Sequence, residues 1–222
     1  MREALRVETK GLLFDMDGVL VSSIGSVRRC WQRWAAMYGV PNADTYEVPH
    51  GMRAIEIVKQ LRPDIDPLEG LRVIEDMEIK DTEDLKVLPG VKALLESLPP
   101  ERWAIVTSAT RRLMLGRLEA AGLPLPERIV SADDVERGKP DPEPYRRGAE
   151  LLGCRPEECI VVEDAPSGVG AGKAARARVL GVIGTHTIEE LHEADWVVPS
   201  LEGVVAKSNN GGLELTFSPE PR

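Results

Sequence analysis

The stretch GLLFDMDGVLVSS, residues 11–23, joins an apolar run to two aspartates, Asp15 and Asp17, with Gly18 directly behind them. Gly11-Leu12-Leu13-Phe14 has the unbroken apolar character of a strand buried on both faces, as in parallel sheets covered by helices. Alternate residues of an extended chain share a side, so the two carboxylates face one small volume. In open parallel sheets ligands collect beyond the carboxyl ends of the strands, which is where these acids would stand. An Asp17-Gly18 hairpin turn would explain the same residues without a site. The rest of the chain has to decide.

On the C-terminal side the pattern becomes helical. Val27, Cys30, Trp31, Trp34, Ala35 and Tyr38 fall at helical spacing; Ile55, Val58 and Leu61 continue it, then Leu68, Leu71, Ile74, Met77 and Ile79, with Pro63 and Pro67 breaking the segments. From Pro89-Gly90 onward strands and helices alternate. Strands are expected at 103–108, 128–131, 159–163, 179–183 and 196–198, and helices at 91–98, 110–121, 143–152, 167–177 and 188–194. Such alternation implies an α/β fold with a Rossmann-like parallel sheet covered on both faces. The core then comprises residues 1–21 and 85–222, and residues 22–84 form a small all-helical cap domain inserted between the first strand and the others. Leu213, Leu215 and Phe217 alternate after an Asn-Gly turn, predicting an edge strand over 211–217.

With 222 residues and a formal charge of −9, the chain is long enough for a sizeable core and is a poor candidate for nucleic-acid or anionic-membrane binding. No apolar run approaches the ~20 residues that span a bilayer, and MREALRVETK lacks a signal-peptide apolar region, so a cytoplasmic protein is expected. A monomer is compatible with these features. Cys30, Cys154 and Cys159 are odd in number and lack CxxC spacing, which suits neither a disulfide framework nor a zinc site. His50, His186 and His192 are scattered, which leaves carboxylates as the best candidates for chemistry.

Three more strand ends carry complementary groups. The strand at 103–106 runs into Thr107-Ser108-Ala109-Thr110, a hydroxyl-rich turn that opens a helix and can offer donors to an anion, or simply cap it. GKPDPEPY, residues 138–145, sets Lys139 between a flexible glycine and a rigid proline. IVVEDAPSG, residues 160–168, ends a buried strand on Glu163 and Asp164. Phosphoryl transfer uses all of these. Carboxylates alone repel a phosphate, so a hard divalent cation, Mg²⁺, must sit between, bound by carboxylate oxygens, water and the substrate. One aspartate of the pair can then attack phosphorus while the other moves the proton of the leaving oxygen. The partner expected is a small-molecule phosphate ester.

DMDGV, VTS, the lysine of GKPDP and VVEDAPSG, taken in this order, resemble the motifs of the haloacid dehalogenase superfamily of phosphatases, over about residues 11–198. The resemblance implies that Asp15 is the nucleophile forming an aspartyl-phosphate and Asp17 the general acid and then base, with its backbone carbonyl on Mg²⁺. It implies further that Thr107 or Ser108, with the adjacent Ala109, holds the phosphate, that Lys139 neutralises charge on nucleophile and phosphoryl group, and that Asp164, with Glu163, completes the metal site. HGMR, IVTSATR, GKPDPEPY and EDAPSGVGAGKAARA are similar to the glycerol-phosphate and 2-deoxyglucose-6-phosphate phosphatases of that superfamily. His50 and Arg53 of the first run are then cap candidates for reading the substrate. The alternative is a phosphosugar mutase resembling β-phosphoglucomutases, which share Val19. Those mutases carry a cap-side histidine ten residues after the second aspartate, where this chain has Val27.

Overall fold

The computed structural model describes residues 4–49, 52–209 and 211–221. The strands are β1 (Leu5–Thr9), β2 (Gly11–Phe14), β3 (Val21–Ser22), β4 (Lys86–Val87), β5 (Trp103–Val106), β6 (Ile129–Val130), β7 (Cys159–Glu163), β8 (Arg178–Val182), β9 (Trp196–Val198), β10 (Val205–Asn209) and β11 (Gly212–Phe217). The α-helices are α1 (Ile24–Met37), α2 (Ala54–Leu61), α3 (Pro67–Lys80), α4 (Val91–Ser97), α5 (Arg111–Ala121), α6 (Glu143–Leu151) and α7 (Pro166–Ala174).

Among the described residues, six strands form a parallel sheet in the order β6-β5-β2-β7-β8-β9. The central strand β2 is fully buried, as its apolar run requires. Leu12 and Phe14 enter one apolar layer with Trp103, Ile105, Ile160 and Val162, whereas Leu13 enters the opposite layer with Ala104, Val106, Val161 and Tyr145. Period-two alternation thus feeds two cores from one continuous run. The chain passes from β2 to β5 and β6 on one side, then to β7 on the other, so β2 lies at the topological switch point. Its carboxyl end is where such sheets open a crevice.

Three α-helices, α1 to α3, lie between β3 and β4 and gather Cys30, Trp31, Trp34, Ile57, Val58 and Ile74 into an apolar cluster of their own. The entry and exit strands of this helical segment pair with each other, Val21 opposite Val87 and Ser22 opposite Lys86. Helix α3 starts on Pro67 with the Asp66 side chain accepting from the Leu68 amide, the arrangement that satisfies a free helix-start donor. Among the described residues, no helix is long and apolar enough to cross a membrane.

Two sequence expectations change. Residues 188–193 form hydrogen-bonded turns rather than a helix: only Leu191 and Ala194 of the segment 188–194 are buried, a narrower apolar face than the three buried residues that hold α4 over the same length. The tail strand is not at an edge. β11 sits between β1 and β10 in an antiparallel sheet, with Val7 opposite Leu215. Leu213, Leu215 and Phe217 are buried in the apolar layer that holds Leu12, Phe14, Leu94 and Leu95, and β1, unread in the sequence, pairs with the edge of β11 that β10 leaves open. Leu215→Ala should therefore cost about 2–5 kcal/mol, as for other buried leucines. The readout is a lower urea midpoint at unchanged slope. A surface-like loss of a few tenths of a kcal/mol would show that this sheet lies outside the cooperative core.

Candidate active site

The carboxyl ends of β2, β5 and β7 converge. Asp15 follows β2, and its amide donates to Val162 O at 3.0 Å, which sets it level with the end of β7. Lys139 is buried in the same place. Its ammonium donates to Asp15 Oδ1 at 2.8 Å, Val106 O at 3.0 Å and Glu163 Oε1 at 2.7 Å. Three acceptors from three neighbouring strands therefore share one cation. Glu163 is the most heavily engaged of the acids. Besides Lys139 it accepts from Tyr145 Oη at 2.6 Å and from the Asp164 and Ala165 amides at 3.0 and 3.2 Å.

Oxygens of Asp15, Glu163 and Asp164 lie within 4.8 Å of one another. Burial pushes the Asp15 carboxyl up to about 7, with Lys139 opposing and Glu163 adding to the rise. Asp164 is raised well above the usual carboxylate range, by burial first and then by Glu163 and Asp15. Burial would depress Lys139, but Asp15 and Glu163 outweigh it and hold the ammonium above its ordinary value. Three acids around one ammonium leave a surplus of negative charge in a dry site. Hard, closely spaced oxygens of this kind suit a divalent cation such as Mg²⁺, so the residues present fit the metal that the sequence implies. Thr185 Oγ1 donates to Asp164 Oδ2 and fixes that carboxylate.

Gly18 explains the glycine behind the acid pair. It has φ +83°, and a Cβ there would lie 1.9 Å from Asp164 Oδ2. The Asp17-Gly18 turn is closed by the Val19 amide donating to Met16 O at 3.4 Å, and it belongs to the site. Gly168 does the same for Glu163, whose carboxylate leaves no room for a Cβ on α7.

Asp17 stands apart from the three clustered acids. Its Oδ1 accepts from Ser23 Oγ at 2.9 Å and its Oδ2 from Arg117 Nη1 at 2.6 Å. Asp15, Asp17, Thr107, Ser108, Ala109 and Asp164 line one cleft, a cavity of about 120 Å³. Thr107 is buried, and its Oγ1 accepts the Ala109 amide at 3.1 Å. The far wall comes from the helical segment and is largely apolar, with Val27, Trp31, Met52 and Ile57. Glu78 of α3 also faces in; burial pushes its carboxyl up to about 7 against the pull of Arg117.

His50 lies outside the described residues. Arg53 does not line the cleft: it pairs with Glu56 and donates to Val135 O at 3.3 Å, so it ties the helical segment to the loop before Lys139. A short-range acid three residues along the chain captures the guanidinium that the sequence placed over the substrate. Sequence reading missed Ser23, Glu78, Arg117, Tyr145 and Thr185. Arg117 follows Leu113 by four residues and Glu78 follows Ile74 by four, so each interrupts an apolar stripe, which is the signal that a buried ion pair leaves. Tyr145 closes the same GKPDPEPY run that supplies Lys139.

A family model described as a haloacid dehalogenase-like hydrolase matches residues 9–176. Hexitol phosphatase A of Escherichia coli is 41% identical over 92% of this chain and 97% of its own. Glycerol-1-phosphate phosphohydrolase 2 of Saccharomyces cerevisiae is 31% identical over 90% of this chain and 86% of its own. The crystal structure of a hydrolase from Pseudomonas syringae superposes with TM-score 0.75 and 26% identity, covering 87% of this chain and 94% of that one.

Tyr145→Phe removes one hydrogen bond to a buried carboxylate and leaves the ring in place. It should cost about 1.5–3 kcal/mol in chemical denaturation. Unchanged stability would show that Glu163 does not need the phenol.

Proposed function

Because the chain belongs to the haloacid dehalogenase-like hydrolases, we propose that it hydrolyses a small phosphorylated sugar or polyol with Mg²⁺, through a phosphoryl group carried on Asp15. The observation that carries this reading is the buried triad of Asp15, Lys139 and Glu163 at the switch point of the sheet. It aims one carboxylate into the cleft and ties it to a fixed cation.

Asp15 forms a bond to phosphorus as the bond from phosphorus to the leaving oxygen breaks. Asp17 gives its proton to that oxygen, so the alcohol leaves neutral. Asp17 then takes a proton from water, the water oxygen bonds to phosphorus, and the Asp15–phosphorus bond breaks, which releases phosphate and restores Asp15 as a carboxylate and Asp17 as the protonated acid. Lys139 balances the charge that gathers on Asp15, and Glu163 holds Lys139 in place. Thr107, Ser108 and Ala109 border the volume for the phosphate. Asp15 and Asp164, with the Asp17 carbonyl, would hold Mg²⁺, whereas Glu163 of the same cluster is engaged by Lys139 and Tyr145; when bound, the ion would supply positive charge that lets an anionic ester approach and stabilises the transferring phosphoryl group. Residues 22–84 act as a cap domain over the reacting end.

The substrate class rests on the relatives, whose names give hexitol and glycerol 1-phosphate esters, and on the small cavity. Val27 lines the cleft at the position where the mutases carry histidine, which favours hydrolysis over phosphosugar isomerisation.

A panel of hexitol, glycerol and hexose phosphates, assayed with Mg²⁺ and with EDTA, tests the reading. Polyol or sugar esters should be hydrolysed to free phosphate with Mg²⁺ and not with EDTA. Asp15→Asn should lower kcat by about a thousandfold or more, because it deletes the nucleophile. Full turnover in EDTA, or an Asp15→Asn variant keeping several per cent of activity, would refute it.

A further inference from the structure

Arg117 and Glu78 face the cleft without a role in the chemistry above. Arg117 lies on α5, next to the parallel sheet; Glu78 lies on α3, in the helical segment. The Arg117 guanidinium spans the two. Nη1 donates to Asp17 Oδ2 at 2.6 Å and Nη2 donates to Glu78 Oε2 at 2.7 Å. The side chains are 7% exposed for Arg117 and 5% for Glu78. Ser23, the residue before α1, holds the other Asp17 oxygen. Both oxygens of the proposed acid are thus fixed, and one of their holders is itself fixed from across the cleft.

We propose that Arg117 is a positioning residue which aligns Asp17 for proton transfer when Glu78 of the helical segment is seated on it, so that the acid is set only with the cleft closed. The proposal rests on the reading of Asp17 as general acid. Its physical basis is the loss of a fixed geometry. Lifting α3 away would leave the guanidinium with one carboxylate in place of two and open it to water, which competes for its donors. With its second partner gone, Arg117 is free to swing, and Asp17 loses its fixed donor. Other contacts make the same junction tight: Thr110 donates to Glu75, and Arg112 reaches Glu75 and Asp76. Those pairs join α3 to α5 and bypass Asp17. Arg117 alone among these junction residues touches a carboxylate of the reaction.

A structural tie and a positioning role separate by leaving group. An alkoxide needs a proton to depart, whereas p-nitrophenolate departs without one, and kcat/KM includes only the steps up to that departure. Asp17→Asn provides the reference. It should lower kcat/KM far more for the best polyol or sugar phosphate than for p-nitrophenyl phosphate. Arg117→Met should repeat that selectivity, with a loss of about a hundredfold on the alkyl ester and under about tenfold on the aryl ester. Glu78→Gln, which keeps its shape and removes the anchoring charge, should show the same pattern at about tenfold on the alkyl ester and under about threefold on the aryl one. Arg117→Lys should recover part of the alkyl activity, because an ammonium can still donate to Asp17. Circular dichroism checks that each variant folds. If Arg117→Met does not fold, Glu78→Gln and Arg117→Lys decide, being less disruptive. Equal losses on both esters, or no loss on the alkyl ester, would overturn the proposal while selective loss in Asp17→Asn left the acid assignment standing. Lack of selectivity in Asp17→Asn itself would overturn that assignment and this inference with it.

Discussion

The Lys139 ammonium, buried between Asp15 and Glu163, is the contact around which the neighbouring residues are arranged. An ion in a dry site costs several kcal/mol unless it is paired and fully hydrogen-bonded. Here the pairing draws three strand ends together, because the acceptors come from β2, β5 and β7. Glu163 must then accept several donors at once, which it does through Tyr145 and its own following amides. The helix after it has to begin close by, and Gly168 makes that approach possible. A carboxylate held this way stays aimed into the cleft without moving, which is the kind of preorganisation that lowers a barrier rather than merely improving binding.

The surplus of acid is equally consequential. One lysine cannot balance Asp15, Glu163 and Asp164, and burial drives the first and last above their ordinary range. Such a cluster is poorly suited to an anionic ester and well suited to a hard cation. The opposite wall behaves differently. Trp31, Val27, Met52 and Ile57 make it apolar, and its charged member, Glu78, is spent on Arg117 of α5, which also holds Asp17. The clustered carboxylates and the lysine thus lie at the ends of the sheet strands, while the helical segment supplies the apolar wall of the space.

What could be read from the sequence follows from locality. Asp15, Lys139, Glu163 and Asp164 announce themselves because each sits at the end of an apolar run or in a proline-rich turn, and period-two alternation reveals the strands that carry them. The order of those strands, and hence the meeting of residues 15, 106, 139 and 163, needed the structure. β1 escaped reading because three of its five residues are exposed and only Val7 and Thr9 are buried; pairing with β11, not hydrophobicity, makes it a strand. Arg53 is held outside the lining of the cleft by Glu56, three residues away, a local pairing that competes with any distant target. Arg117 and Glu78 were legible only as charges on apolar stripes, and nothing local says that they meet each other.

The most direct measurement is acid quenching during the first turnovers with Mg²⁺ and a good substrate, followed by digestion and mass spectrometry of the peptide that contains residues 11–23. A phosphoryl group on Asp15, labile to hydroxylamine and absent from Asp15→Asn protein, is the expected result. Release of phosphate with no phosphoryl adduct at Asp15 on that timescale, or an adduct on another side chain, would contradict covalent transfer through Asp15.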